Sequence, residues 1–126
     1  MTVHLDTSVL IDALTGPRRS LDALTVLAKE GHRLAISTIV LYEWLRGPRT
    51  RAELSAQEEL FPREAAVVFG SVEADLAAKL YRQLARPRGR EVDLAVAACA
   101  LTAGAALWTL NGSDFRDIPD LRLSQI

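Results

Sequence analysis

The amino-terminal stretch is Thr2-Val3-His4-Leu5-Asp6-Thr7-Ser8, a short apolar strand followed by an acid and a turn. The β-branched and apolar residues favour a strand over 2–5, and the polar residues after it are typical of a turn into a helix. Further along the chain, short apolar segments alternate with helical patterns. This alternation predicts an α/β domain with a mainly parallel central sheet of four to five short strands flanked by helices.

The predicted elements follow from apolar spacing, with breaks at glycine and proline. We expect helices over 9–14, 20–30, 38–46, 50–61, 71–86 and 92–103. We expect strands over 2–5, 33–37, 65–69 and 105–110, with a short last strand at 121–123. A chain of 126 residues is long enough for one core and too short for two, so residues 1–126 are expected to form one domain.

The composition is that of an ordinary soluble protein, with 49% hydrophobic and 25% charged residues. The formal net charge of -1 gives no sign of the strongly basic surface of a DNA-coating protein. The single cysteine, Cys99, excludes an internal disulfide and fits a reducing cytosol. Without a secretory signal or an apolar stretch long enough for a membrane span, the chain is expected to be cytoplasmic, with no membrane contact.

Four acidic residues follow or interrupt apolar elements. Asp6 follows the first strand, and Asp114 follows the turn after the strand at 105–110. Glu43 interrupts an apolar helix, and Asp93 lies in the first turn of another. Ionised carboxylates avoid apolar surroundings unless a cation or hydrogen-bond donors compensate them. Because ligands gather at the carboxyl ends of parallel strands, we expect these four acids to converge there.

A convergent set of carboxylates predicts a divalent metal site. Two unit charges 4 Å apart repel by about 4 kcal/mol at an effective dielectric near 20, so several pairs would strongly destabilise a small domain. Oxygen ligands without cysteine or clustered histidine select Mg²⁺ or Mn²⁺. Such ions are usually completed by phosphate oxygens and can activate water, so hydrolysis of a phosphodiester is the expected reaction.

Simpler roles exist for several of these residues. Asp6 alone could cap a helix, and Asp93 alone could be a first-turn acid favoured by the helix dipole. Thr7 and Asn111 either support neighbouring acids as hydrogen-bond donors or belong to local turns. A further set of apolar side chains either forms core or lines an exposed groove for a partner helix: Trp44, Leu45, Leu54, Leu60 and Phe61.

Four short motifs in this order resemble those of PIN-domain ribonucleases, and more narrowly of VapC-type toxins from bacterial toxin–antitoxin pairs. The motifs are Leu5-Asp6-Thr7-Ser8-Val9-Leu10-Ile11-Asp12, Leu41-Tyr42-Glu43-Trp44-Leu45-Arg46-Gly47, Val92-Asp93-Leu94-Ala95-Val96-Ala97-Ala98 and Thr109-Leu110-Asn111-Gly112-Ser113-Asp114-Phe115.

The resemblance implies specific roles and partners. The family's catalytic acids fall on Asp6, Glu43, Asp93 and Asp114, with Asp6 and Asp93 as the main metal ligands and Asp114 at a variable position. The implied protein is a Mg²⁺- or Mn²⁺-dependent endoribonuclease that cleaves RNA. It would be the toxin of a type II toxin–antitoxin pair, form a homodimer and be silenced by a cognate antitoxin.

Two other classes of protein fit part of the pattern. A haloacid-dehalogenase-like phosphatase would use Asp6 as a covalent nucleophile, but that family expects a second acid where this chain has Ser8. A non-catalytic binding module would use the acidic pocket to recruit a basic partner. Titration with Mg²⁺ distinguishes the nuclease hypothesis from the binding-module hypothesis, since a nuclease must bind metal and a binding module need not.

Overall fold

Three short parallel strands form the centre of the computed structural model, which describes residues 1–124: Thr2–Leu5 (β1), Arg33–Ala35 (β2) and Ala106–Trp108 (β3). β1 is the central strand, with β2 on one side and β3 on the other. The helices of the described chain are Thr7–Leu14 (α1), Leu21–Lys29 (α2), Thr38–Arg46 (α3), Arg51–Leu60 (α4), Ser71–Gln83 (α5) and Glu91–Thr102 (α6). The α/β class and the parallel sheet are therefore as predicted.

The prediction of four to five strands is wrong, and the first missing strand is the one expected at 65–69. Residues Arg63–Ala65 form a 3-10 turn instead. Only Val67 pairs with the sheet, through one parallel bridge to Ser37 beyond the end of β2. The chain then leaves the sheet, and the backbone N–H of Phe69 donates to the Thr38 hydroxyl at 3.1 Å rather than to a strand.

The expected last strand at 121–123 is also reduced to a single bridge. Leu123 pairs in parallel with Leu107 of β3. Asp120 has a φ of 66°, a left-handed conformation that interrupts extended backbone just before this segment. The sheet is thus widened by one residue on each side, and three strands remain in the described chain.

The expected helices are all present, with shifts at their ends. α1 begins at Thr7 rather than at residue 9, so Asp6 is its N-cap residue. α5 ends at Gln83 rather than at residue 86, which fits the rule that the residues before a proline, here Pro87, avoid helical geometry. α3 begins where the Ser37 hydroxyl accepts a hydrogen bond from the Val40 N–H at 3.2 Å.

α6 runs through the core, which explains why its sequence has no polar face. Every residue from Leu94 to Ala100 is buried, and the helix packs against α5, α3 and β3. Gly104, with a φ of 65°, makes the tight turn from the end of α6 into β3. α6 therefore runs back against β3 and begins at the edge of the sheet where the strands end. No helix within residues 1–124 is both long and apolar enough to cross a membrane.

Candidate active site

Asp6 lies directly after β1, and two hydroxyl groups orient its buried side chain. Its backbone N–H donates to the Trp108 carbonyl at 2.9 Å, so the ends of β1 and β3 lie side by side. Its carboxylate oxygen Oδ2 accepts hydrogen bonds from Ser8 Oγ at 3.0 Å and Thr109 Oγ1 at 2.7 Å. Asp6 is the N-cap residue of α1 by position, but its side chain makes no capping hydrogen bond to the helix. Both hydroxyl bonds end on Oδ2, and within residues 1–124 no donor reaches Oδ1.

Glu43 joins the first turn of α1 to α3. Its side chain is 18% exposed, and Arg46 Nη2 lies 3.5 Å from its oxygen Oε2. The Thr7 hydroxyl donates to the other oxygen, Oε1, at 2.5 Å. Thr7 therefore supports an acid of the predicted set, although its partner is Glu43 and the Asp6 carboxylate is bonded by Ser8 instead.

Asp93 lies in the first turn of α6 and carries the clearest electrostatic signal of the site. Burial raises the pKa of its carboxyl group from 3.8 to about 6, and the charges of Asp6, Asp114 and Glu43 add to the shift in that order. Arg90 opposes it. A carboxylate responds in this way only to charges near it, so Asp93 lies within electrostatic reach of the other three acids.

Asp114 is the exposed member of the set. It ends a 3-10 turn at Gly112–Asp114, and its backbone N–H donates to the Asn111 carbonyl at 2.9 Å. The Asn111 side chain is exposed, and its backbone N–H donates to Thr109 Oγ1 at 3.0 Å. Asn111 thus shapes the turn through its backbone. A role for its side chain as a hydrogen-bond donor to a neighbouring acid stays a prediction.

The chemistry of these groups fits a hard divalent cation. All four are carboxylates, the ligand type that Mg²⁺ and Mn²⁺ prefer, and a cation would relieve the repulsion that raises the Asp93 pKa. Within residues 1–124, no three histidine, cysteine, aspartate or glutamate side chains already form a group that could hold a metal ion. The charges of the other three acids therefore act on Asp93, but the four carboxylates do not form a preassembled metal-binding site.

Three further polar residues contact or support this set through contacts that were not predicted from the sequence. Thr109 bonds the Asp6 carboxylate, and it could have been found because it follows β3 at the same edge of the sheet. Arg90 and Asp117 form an ion pair at 2.6 Å beside Asp114. The two residues are 27 positions apart, so no local sequence pattern predicts that they pair.

A second surface lies on α3 and α4. Trp44 and Phe61 are buried, as expected of core residues. Leu45, Leu54 and Leu60 are exposed instead, and of these three Leu45 lines a groove. An open groove of about 430 Å³ is lined by Thr38, Leu41, Tyr42, Leu45 and Arg46.

Comparison with known proteins identifies relatives over almost the whole chain. The PIN domain family matches residues 3–121. Ribonuclease VapC19 from Mycobacterium tuberculosis (strain ATCC 25618 / H37Rv) is 35% identical over 124 residues, which cover 94% of this chain and 95% of that protein. The resemblance derived from the four motifs is thereby confirmed.

Solved structures with the same fold come from toxin–antitoxin complexes. VapBC2 from Rickettsia felis, bound to a DNA fragment from its promoter, contains a chain with a TM-score of 0.77 and 25% identity, covering 98% of both chains. A toxin–antitoxin complex from Klebsiella pneumoniae gives a TM-score of 0.73 and 25% identity, covering 98% of this chain and 99% of that one.

Proposed function

The chain belongs to the PIN-domain family, and on that basis we propose that it is a metal-dependent endoribonuclease and the toxin of a type II toxin–antitoxin pair. The observation that carries the proposal is the match to the PIN domain over residues 3–121, and the raised pKa of Asp93, to which burial, Asp6, Asp114 and Glu43 all contribute, supports it. Carboxylates that perturb one another in this way are typical of functional sites. RNA as the substrate is supported by the relative named Ribonuclease VapC19.

Within this proposal, Asp6 and Asp93 hold a Mg²⁺ or Mn²⁺ ion, and Glu43 and Asp114 complete the site or orient the attacking water. A bound ion would supply Lewis acidity, activating water and neutralising the charge that develops on the phosphate. Thr109 keeps Oδ2 of Asp6 occupied, so Oδ1 is the oxygen available to a ligand. The Thr7 hydroxyl restricts Glu43 in the same way through Oε1.

The proposed substrate is a single-stranded or looped RNA. Asp114 is exposed, so a strand can approach the acids from its side of the site. Arg86 and Arg88 are also exposed, in the loop before α6. Because guanidinium groups suit phosphate oxygens, these two arginines are candidates for contacts with the RNA backbone.

The proposed partners are a cognate antitoxin and a second copy of the chain. An antitoxin is supported by the solved relatives, which include a toxin–antitoxin complex. The groove on α3 offers it apolar contacts, since Tyr42 is 60% and Leu45 38% exposed. A homodimer rests on the family resemblance alone.

The decisive experiment compares RNA cleavage by the purified chain with that by Asp6→Asn and Asp93→Asn, in Mg²⁺ and in Mn²⁺. Both variants should lose cleavage while keeping the circular dichroism spectrum of the folded protein. Asp22→Asn, at an exposed site on α2, is the matched control and should cut at the normal rate. Either active-site variant cutting at the wild-type rate would refute the assignment.

The RNA target follows from a second measurement. RNA ends are sequenced after brief induced expression of the wild-type chain and of Asp6→Asn. New ends that appear only with the wild-type chain report the cleavage motif. A purified wild-type chain that binds no Mn²⁺ and cuts no RNA would instead favour the binding-module alternative.

A further inference from the structure

The Arg90 side chain connects two segments that are distant in the sequence. Its Nη1 donates to Asp117 Oδ2 at 2.9 Å, and its Nη2 donates to Asp117 Oδ1 at 2.6 Å. The same Nη2 also donates to the backbone carbonyl of Asp114 at 2.8 Å. One guanidinium therefore binds a carboxylate through both oxygens and, in addition, binds the backbone of a predicted catalytic residue.

These contacts join the segments that carry two of the acids. Arg90 is the N-cap residue of α6, the helix whose first turn contains Asp93. Asp114 ends the 3-10 turn at Gly112–Asp114, and Asp117 follows it. Phe115 and Ile118 anchor this segment in the core. Within residues 1–124, its long-range hydrogen bonds come from the Arg90 side chain, to the Asp114 carbonyl and the Asp117 carboxylate.

We propose that Arg90 is a positioning residue: paired with Asp117, it fixes the Asp114 segment against the start of the helix that carries Asp93. The inference deepens the proposed function, because it concerns the relative placement of two acids of that site. A cavity of about 480 Å³ lies beside the pair and is lined in part by Arg86, Arg90 and Asp114. The fixed segment therefore borders open space that a substrate can enter.

A purely electrostatic role for Arg90 is the competing explanation. The guanidinium lowers the pKa of Asp93, so it acts as a counter-charge for the acids as well as a structural tie. The two roles predict different results at Asp117. Removing the Arg90 charge and removing the Asp117 charge change the local potential in opposite directions. Both changes break the same paired geometry.

The test is a set of four variants: Arg90→Gln, Asp117→Asn, the double variant and Arg90→Lys. If the pair positions the segment, each single variant should lower kcat about 10- to 100-fold with a change in KM below about 3-fold, since small misplacement of catalytic groups is costly. The double variant should be no worse than the worse single variant. Arg90→Lys should restore little, because an ammonium group lacks the planar fork.

Hydrogen–deuterium exchange supplies a readout that does not depend on activity. Exchange in residues 112–118 should be at least about 5-fold faster in Arg90→Gln and Asp117→Asn than in the wild-type chain, since loss of a tie lowers the free energy of local opening. Exchange in α2 should be unchanged. Arg19→Gln, at an exposed arginine in the loop before α2, is the matched control and should change neither exchange nor kcat.

Three results would overturn the inference. One is a rate of hydrogen–deuterium exchange in residues 112–118 that equals the wild-type rate in both single variants. Another is kcat changing in opposite directions in the two single variants, which would assign a charge role. The third is full recovery of kcat in Arg90→Lys. Failure of the proposed function would look different. In that case the wild-type chain would cut no RNA, but exchange in residues 112–118 could still be compared between the wild-type chain and the variants.

Discussion

The Thr109 hydroxyl donates a 2.7 Å hydrogen bond to Oδ2 of Asp6, across a separation of 103 residues. The bond joins the residue after β3 to the residue after β1 at one edge of the sheet. Ser8 donates to the same oxygen at 3.0 Å. The carboxylate is thus held in one orientation by a residue after β3 and a residue in the first turn of α1, before any ligand arrives.

Replacing Thr109 by valine should impair the site with little effect on the fold. Valine keeps the branched shape but removes the donor to Asp6, and hydrogen bonds to charged groups are worth about 1.5–3 kcal/mol. We expect kcat/KM for RNA to fall about 10- to 100-fold, with partial recovery in Thr109→Ser.

Steady-state kinetics of the purified variants check this prediction. Thr102→Val, at an exposed position near the end of α6, is the matched control and should leave kcat/KM unchanged. Equal activity in Thr109→Val and the wild-type chain would mean that Ser8 alone orients Asp6.

Asp93 should make the metal-free protein less stable as the pH rises. Burial, Asp6, Asp114 and Glu43 raise its pKa in the folded state to about 6, whereas the unfolded chain has a pKa of about 3.9. Between these values the folded state binds more protons, so the free energy of unfolding falls as the pH rises from about 4 to about 6. The loss is on the order of 1–2 kcal/mol once solvent screening is allowed for.

Urea unfolding in the presence of a chelator measures this effect. Wild-type and Asp93→Asn chains are compared at several pH values from 4 to 7, and the difference between them isolates the contribution of Asp93. We expect Asp93→Asn to be the more stable of the two at pH 7 and to depend less on pH. Parallel curves for the two proteins would show that Asp93 is not perturbed by its neighbours.

The rule that sites form at the carboxyl ends of strands needs only the positions of elements, and it placed Asp6 and Asp93 at one edge of the sheet. In the structure the charge of Asp6 contributes to the raised pKa of Asp93, while the roles of both acids stay predictions. Strand length depends on which residues find partners across the sheet. Val67 and Leu123 look like strand residues locally, but each finds a single bridge.

The supporting contacts could not be predicted from the sequence for a related reason. The bond from Thr7 to Glu43 depends on how α1 packs against α3, and the sequence indicates only that both helices exist. The pairing of Arg90 with Asp117 depends on the path of the loop after β3. Long-range partners of this kind are fixed by tertiary packing rather than by local pattern.

A divalent metal should stabilise the folded chain. A ligand that binds only the folded state at 100 times its Kd adds about 2.7 kcal/mol to the free energy of unfolding. We expect Mn²⁺ and Mg²⁺ to raise the Tm of the wild-type chain reversibly, with the gain lost on addition of chelator. Relief of the repulsion at Asp93 is the physical reason.

Thermal unfolding with and without metal checks this expectation. Asp6→Asn and Asp93→Asn should lose most of the metal-dependent gain. Asp12→Asn is the control, because Asp12 accepts a hydrogen bond from Ser20 at 2.7 Å and is not among the acids that shift the Asp93 pKa. A Tm gain that survives in both active-site variants would place the metal elsewhere.

The exposed groove on α3 should bind the antitoxin and take no part in catalysis. Leu45 is 38% exposed in a groove whose other members include Tyr42 and Arg46. A charge at the centre of an apolar interface is left without water or a partner, so Leu45→Asp should weaken antitoxin binding about 100-fold or more. RNA cleavage by the free protein should be unchanged, since Leu45 lines the groove on α3 and not the cavity beside Asp114. Val26→Asp, on the exposed face of α2, is the matched control and should bind antitoxin normally. Titration calorimetry with the cognate antitoxin decides the matter: undiminished affinity in Leu45→Asp would move the antitoxin surface away from α3.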